Sequence, residues 1–168
     1  KLVICFSGIA GSGKTRIAKI LEKRYKGIRI NNDDIRTIIR KLIKKSDDQE
    51  LYKYLNRFYK NYKFPNKLLI LDRGIDRRYK ETFGIFKKKK YKIFIIRLKV
   101  SKKISEKRIR KKLGRLDNNY VNNIDRWINE WKEFGKKIKP DIVIENENTL
   151  DLEPIFRKLD KLVFKNIL

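Results

Sequence analysis

A parallel α/β fold is predicted for this chain by three observations. Short apolar runs alternate with amphipathic segments, the first run leads straight into a glycine-rich turn, and polar residues stand where the runs end. Strands separated by helices pair in parallel, so helices cover both faces of the sheet and ligands collect at the carboxyl ends of the strands. With 168 residues, 40% of them hydrophobic, the chain suffices for one such domain, residues 1–168, and is short for two.

The first strand is the run Leu2 to Phe6, and Gly8 to Thr15 then reads GIAGSGKT. Ile17, Ala18, Ile20, Leu21 and Tyr25 mark one face of the following helix, which stops near Gly27. Ile28 to Ile30 is a short second strand. The corner Asn31-Asn32-Asp33-Asp34 supplies an Asx cap to a helix whose apolar stripe is Ile35, Ile38, Ile39, Leu42 and Ile43. A further helix carries Leu51, Leu55, Phe58 and Tyr62 on one side and ends at Pro65. Leu68 to Leu71 is a buried strand closed by Asp72. Tyr79, Phe83 and Phe86 mark a helix before the basic run Lys87 to Lys90, and Lys92 to Leu98 is the fourth strand. Ser101 to Leu113 is a basic helix leading into an exposed loop. From Asn119 to Phe134, the residues Tyr120, Ile124, Trp127, Trp131 and Phe134 recur at alternating steps of four and three, which assigns the tryptophans to the core. Ile142 to Ile144 is the fifth strand, and Asp151 opens a last helix along Leu152, Ile155, Phe156, Leu159 and Leu162.

Composition excludes several chemistries. Without histidine there is no His-based triad or His-containing metal site, so any general base is a carboxylate or a lysine. The single cysteine, Cys5, falls inside the first strand, where a buried thiol is expected and disulfide pairing is not. No signal-peptide pattern and no apolar run of about 18 residues is present, which predicts a cytoplasmic protein with no membrane partner. The chain lacks an initiator methionine, as a trimmed chain would. A net charge of +26 would draw it to polyanions such as nucleic acids, but abundant Lys, Ile, Asn, Tyr and Phe share AT-rich codons, so base composition explains the charge equally well.

The glycine-rich turn is the strongest motif. Its successive backbone N–H groups, added to those of the helix N-terminus, form a concave anion site. Gly8, Ile9, Ala10, Gly11, Ser12, Gly13, Lys14, Thr15 and Arg16 are therefore the candidate ATP-binding residues. Lys14 can reach the β- and γ-phosphates, and the Thr15 hydroxyl suits Mg²⁺. The bland alternative is a turn that binds nothing, but strand, loop and helix stand in the order the motif requires. Asp72 ends an apolar run, where a carboxylate can hold Mg²⁺ opposite Thr15 or merely cap the next helix. In NNDDIR, a carboxylate can accept the proton of an attacking hydroxyl, and Arg36, one helical turn past Asp33, can clamp an anionic group. Helix capping is again the alternative for either aspartate. These loops follow strands one, two and three, so they are expected around one cleft.

GIAGSGKT, IRINNDDIR and LLILDRGIDRR together resemble the kinase domain of polynucleotide 5′-hydroxyl kinases and the small P-loop kinases around them. The ending KPDIVIENENTLDLEPIF is similar to the last strand, turn and helix of nucleoside-monophosphate kinase folds. The resemblance implies a three-layer P-loop NTPase fold, a sheet in the order 2-3-1-4-5 and a helical lid over residues 108–120. It also implies that Asp33 activates an acceptor hydroxyl and that Arg36 holds a substrate phosphate. Lid arginines would neutralise the transferring group, and Arg108 and Arg115 are the favoured ones among Arg108, Arg110, Lys111, Lys112 and Arg115. Asn32 departs from the pattern, where a basic residue would match polynucleotide kinases more closely.

The expected activity is thus an ATP- and Mg²⁺-dependent kinase with Lys14, Asp33, Arg36, Arg108 and Arg115 in catalysis, Thr15 and Asp72 at the metal, and Arg73 as a further acceptor contact. The leading acceptor is the 5′-hydroxyl of an oligonucleotide. A nucleoside-monophosphate or other small-molecule kinase is the alternative, and a nucleotide-dependent nucleic-acid-binding ATPase module is the second. The turn Asn146 to Thr149 is a positional candidate for the adenine.

Overall fold

The computed structural model describes residues 1–42, 48–64, 68–116 and 118–164. Five strands form one parallel sheet in the order β2-β3-β1-β4-β5: β1 (Leu2–Ser7), β2 (Ile28–Asn31), β3 (Leu68–Gly74), β4 (Lys92–Lys99) and β5 (Ile142–Glu145). Seven helices are described: α1 (Lys14–Tyr25), α2 (Asn32–Leu42), α3 (Asp48–Asn61), α4 (Tyr79–Lys88), α5 (Lys102–Leu113), α6 (Asn118–Lys137) and α7 (Glu153–Phe164). The sheet order is the one the resemblance implies. The chain packs as two compact units, residues 1–5 with 15–93 and residues 6–14 with 94–168.

In the first unit, β2 and β3 pair in register from Ile28 opposite Leu69 to Asn31 opposite Asp72. This register sets the polar corner after β2 level with the carboxylate that ends the apolar run of β3. Ile17, Ala18 and Leu21 of α1 are buried, as is Cys5. Two helices differ from the expected pattern. On α3 the buried stripe is Leu51, Leu55 and Tyr59, with Phe58 half-buried and Tyr62 50% exposed. A spacing of four throughout puts Tyr59 on the stripe, where its ring packs edge-on to Phe86 at 6.0 Å. On α2, Ile35 and Ile39 are half-buried, Ile38 and Leu42 are exposed, and only Asn32 is buried. A stripe is buried only where another surface meets it, and α2, which packs against α3, leaves Ile38 and Leu42 outside that contact. The expected positions Ile43 and Pro65 lie outside the described residues, as does Asp117 of the expected lid.

In the second unit, β4 and β5 pair from Ile96 opposite Ile142 to Lys99 opposite Glu145. A core of Ile9, Tyr120 and Ile124 gathers Ile109, Trp127, Ile128 and Trp131 around it. The tryptophans are half-buried in this core, and the Trp131 ring also takes the Arg97 guanidinium at 4.2 Å. Ser101 caps α5 by accepting from the Ile104 N–H at 3.3 Å, and Gly114 ends it in the left-handed conformation. Asp151 caps α7 by accepting from the Glu153 N–H at 3.0 Å.

Candidate active site

The phosphate loop is held from below by its own unit. Gly11 (φ +72°) and Gly13 (φ +95°) adopt backbone conformations that a side chain would strain, and each also allows a close approach. A Cβ on Gly11 would lie 2.9 Å from the Ser105 carbonyl oxygen, and one on Gly13 would lie 2.5 Å from Asn146 Nδ2. Ser105 and Asn146 are both buried and hold the loop by its carbonyls. The Ser105 hydroxyl donates to Ala10 O at 2.6 Å and meets Tyr120 Oη at 2.8 Å, and Asn146 Nδ2 donates to Ser12 O at 2.9 Å. Bonds to the carbonyls of Ala10 and Ser12 on this side fix the backbone of a glycine-rich turn at a helix N-terminus, the geometry that receives an anion. Lys14 Nζ donates to Gly8 O and Ile9 O at 2.8 and 2.7 Å, so the ammonium is carried within the loop.

Arg108 joins the same assembly. It donates to Gly11 O at 3.3 Å, to Asn146 O at 2.7 Å and to Glu147 O at 3.1 Å, tying the loop to the turn after β5. Arg115 stands past the end of α5 and is exposed, so the two favoured arginines occupy different settings. Arg16 is exposed on α1.

The residues after Lys14 belong to the other unit. The Thr15 hydroxyl donates to Asp72 Oδ1 at 2.9 Å, and Asp72 Oδ2 accepts from Arg29 Nη1 at 2.9 Å. Arg29 also donates to Glu22 at 2.9 Å. Burial works against the Arg29 charge, but its bonds with Glu22 and Asp72 outweigh that and hold the guanidinium above the ordinary arginine value. The Asp72 side chain is only 2% exposed. Its carboxylate is thus engaged by Thr15 and Arg29 rather than by a helix N-terminus. A hydroxyl and a carboxylate in contact are hard oxygen donors of the kind magnesium takes while keeping most of its waters and its phosphate ligands. Among the described residues no group of three or more His, Cys, Asp or Glu could hold a metal alone. The donor set therefore suits a phosphate-bound magnesium rather than a protein-caged ion.

At the corner after β2, the cap of α2 is Asn31, whose side chain accepts from the Asp33 N–H at 3.0 Å. Asp33 and Asp34 are exposed and neither caps the helix. Asn32 is buried and accepts from Tyr59 Oη, while Arg36 is half-buried one turn along the helix.

A family model described as an AAA domain matches residues 3–129, which include the loop, the corner and Asp72. The chain belongs to the AAA domain family. No curated protein matches the AAA domain chain. Solved structures do. Shikimate kinase from Acinetobacter baumannii in complex with shikimate aligns with a TM-score of 0.65 at 14% identity, covering 99% of this chain and 95% of the other. The tunicamycin resistance protein of Deinococcus radiodurans gives 0.62 at 19% identity over 97% and 95%. A gluconokinase from Sinorhizobium meliloti gives 0.57 at 12% identity over 99% and 95%. These likenesses establish a P-loop kinase-type fold for the AAA domain chain.

Ser105, Arg29 and Arg78 had weak or no signals in the sequence of this AAA domain protein, whereas Arg73 stood there as an acceptor contact. Ser105 anchors α5 through its bonds to Ala10 O and Tyr120, beside the packing of Ile109, and a lone serine in a basic helix points nowhere. Arg29 had a faint signal, a charge inside a short apolar strand. Arg73 and Arg78 lie against Tyr59 and Tyr52, their guanidinium carbons 5.0 and 3.5 Å from the ring centroids. No helix among the described residues is long and apolar enough to cross a membrane.

Proposed function

We propose that this protein is an ATP-dependent kinase that phosphorylates the hydroxyl of a small molecule. The observation that carries the reading is the Asp33 carboxylate, which is exposed at the start of α2 because Asn31 has taken the capping role. A phosphate acceptor is already anionic and needs no base, whereas a hydroxyl must lose a proton as it attacks. Shared fold with a gluconokinase and a shikimate kinase supports a small-molecule acceptor.

In the proposed reaction the acceptor oxygen bonds to the γ-phosphorus as the bond to the β,γ-bridging oxygen breaks. The hydroxyl proton passes to Asp33, and ADP leaves with the bridging oxygen. The loop N–H groups and Lys14 hold the β- and γ-phosphates, and Thr15 with Asp72 would hold Mg²⁺. When bound, that ion would offset charge on the phosphate oxygens. Arg36 orients the acceptor and Arg115 offsets charge on the transferring group from the segment after α5. Arg108, through its bonds to Gly11 and Asn146, keeps the loop in shape.

A second reading, an oligonucleotide 5′-hydroxyl as acceptor, is favoured by the +26 charge and the resemblance of the three motifs. One experiment tests both. Label from γ-labelled ATP with Mg²⁺ is offered to hydroxy acids, sugars, 5′-hydroxyl DNA and RNA, nucleoside monophosphates and water, with Lys14→Ala as the blank. The expected result is label on a small hydroxyl compound that disappears in the blank. Label on an oligonucleotide end would favour the second reading, and label only in free phosphate would overturn both.

A further inference from the structure

Arg73 and Arg78, at and just beyond the end of β3, each lie over a tyrosine of α3. Neither has a carboxylate partner among the described residues. Arg73 spends one N–H on Thr82 Oγ1, at 2.6 Å, and its Nε is buried without any acceptor. Its guanidinium carbon lies 5.0 Å from the centroid of Tyr59, and that of Arg78 lies 3.5 Å from the centroid of Tyr52. Tyr52 Oη is also buried without a partner. The two arginines are linked through Thr82, whose hydroxyl accepts from Arg73 and donates to the Arg78 carbonyl at 3.1 Å. Tyr52 and Tyr59 stand seven residues apart on α3, two helical turns, so both rings fall on one face. Glu81, the acidic residue in the first turn of α4, accepts from Asn56 at 3.1 Å.

A guanidinium stacked on an aromatic ring keeps its N–H edge for an acceptor, and an N–H withdrawn from water without one is a desolvated donor left unused. Such an edge fits a planar or tetrahedral oxyanion through paired N–H contacts. Tyr59, under Arg73, bonds to Asn32, and the next residue is Asp33. We propose that Arg73 and Arg78, each laid on a tyrosine of α3, form an anion subsite, and that the phosphorylated compound carries a carboxylate or phosphate group beside its hydroxyl. The second half of this proposal rests on the kinase reading, while the subsite itself does not.

The test follows the Nε–H resonances of protein with ¹⁵N-labelled arginine, assigned by Arg73→Lys and Arg78→Lys. The phosphate loop is first filled with Mg²⁺ and a non-hydrolysable ATP analogue, and inorganic phosphate, acetate and uncharged glycerol are then titrated separately. The Arg73 and Arg78 resonances should move together and saturate with phosphate or acetate but not with glycerol, the stronger of the two anions naming the group. Arg73→Gln should weaken the response at Arg78 by about tenfold or more, the loss of a charge-assisted pair. Arg78→Gln, read at Arg73, serves if the first variant fails to fold. Absence of a saturable response to both anions, with the analogue bound, would overturn the subsite. Failure of the analogue to bind would count against the kinase reading instead, and the anion response would still be readable.

Discussion

The phosphate loop and the Asp33 to Arg78 region treat their polar groups in opposite ways. The loop is closed upon itself: Ser105, Asn146 and Arg108 take its carbonyls, and Lys14 sits within it. The other region leaves groups open, with Asp33 exposed, Arg73 Nε unpaired and Ile38 and Leu42 of α2 uncovered. On the proposed function the loop receives the same triphosphate at every turnover and can be held rigid by its neighbours, since preorganised donors then cost nothing at the moment of reaction. A surface that selects an acceptor has groups left over until the acceptor arrives.

The sharpest break of this contrast is Lys14→Ala. It should cost about 10³-fold or more in kcat for phosphate transfer and for hydrolysis alike, because loss of a charge on the transferring group affects every acceptor. Asp33→Asn should separate the two activities. Transfer to a hydroxyl acceptor should fall by roughly 10²- to 10⁴-fold while affinity for ATP stays within a few-fold, measured by label transfer and by nucleotide titration. Equal loss of nucleotide affinity in both variants would erase the distinction between the regions.

The difference in openness also explains what the sequence disclosed. The loop, the parallel sheet and the Asp72 position follow from local pattern: glycines where φ is positive, an apolar run that ends in a carboxylate, strands that alternate with helices; the strand order came only from the family resemblance. The supports of the loop were not legible as supports, because they reach it from distant parts of the chain: Ser105 carries no local signature, Asn146 stood only as an adenine candidate and Arg108 only as a lid arginine. At the corner, the pattern NNDD announced a cap but could not say which Asx residue it was. The structure makes it Asn31, the last residue of β2, whose side chain accepts from the Asp33 N–H. On α3, periodicity put Phe58 and Tyr62 on the buried face and passed over Tyr59, which the structure buries with its ring against Phe86.

Gly13→Ala probes how tightly the loop is held. The left-handed backbone and the 2.5 Å approach to Asn146 Nδ2 both oppose a side chain, so stability should fall by about 1–3 kcal/mol. For a chain of this size that is a drop in melting temperature of roughly 2–4 °C per kcal/mol. An unchanged melting curve would mean that the loop yields, and that its rigidity does not set it apart.

The smallest effect tests burial on the other side. Tyr59 is 1% exposed, and burial pushes its phenol up to about 12, against a smaller opposing pull from Arg73. The folded protein therefore holds this proton more tightly than the unfolded chain does, and stability from it is complete below about pH 10 and lost as pH rises toward 12. At pH 8, Tyr59→Phe should cost about 1 kcal/mol, the net worth of the bond to Asn32. Phenylalanine has no proton to lose, so the variant escapes the alkaline loss, on the order of 2–3 kcal/mol, that the wild type suffers at this position. Denaturant melts of the two proteins from pH 8 to 11.5 should thus converge and then cross, with the variant the more stable at the alkaline end. A gap that stays constant over that range would mean that Tyr59 ionises as readily in the folded protein as in water. The ring under Arg73 would then be solvated, and the guanidinium above it would lose the low-dielectric setting that makes an unpaired N–H there informative.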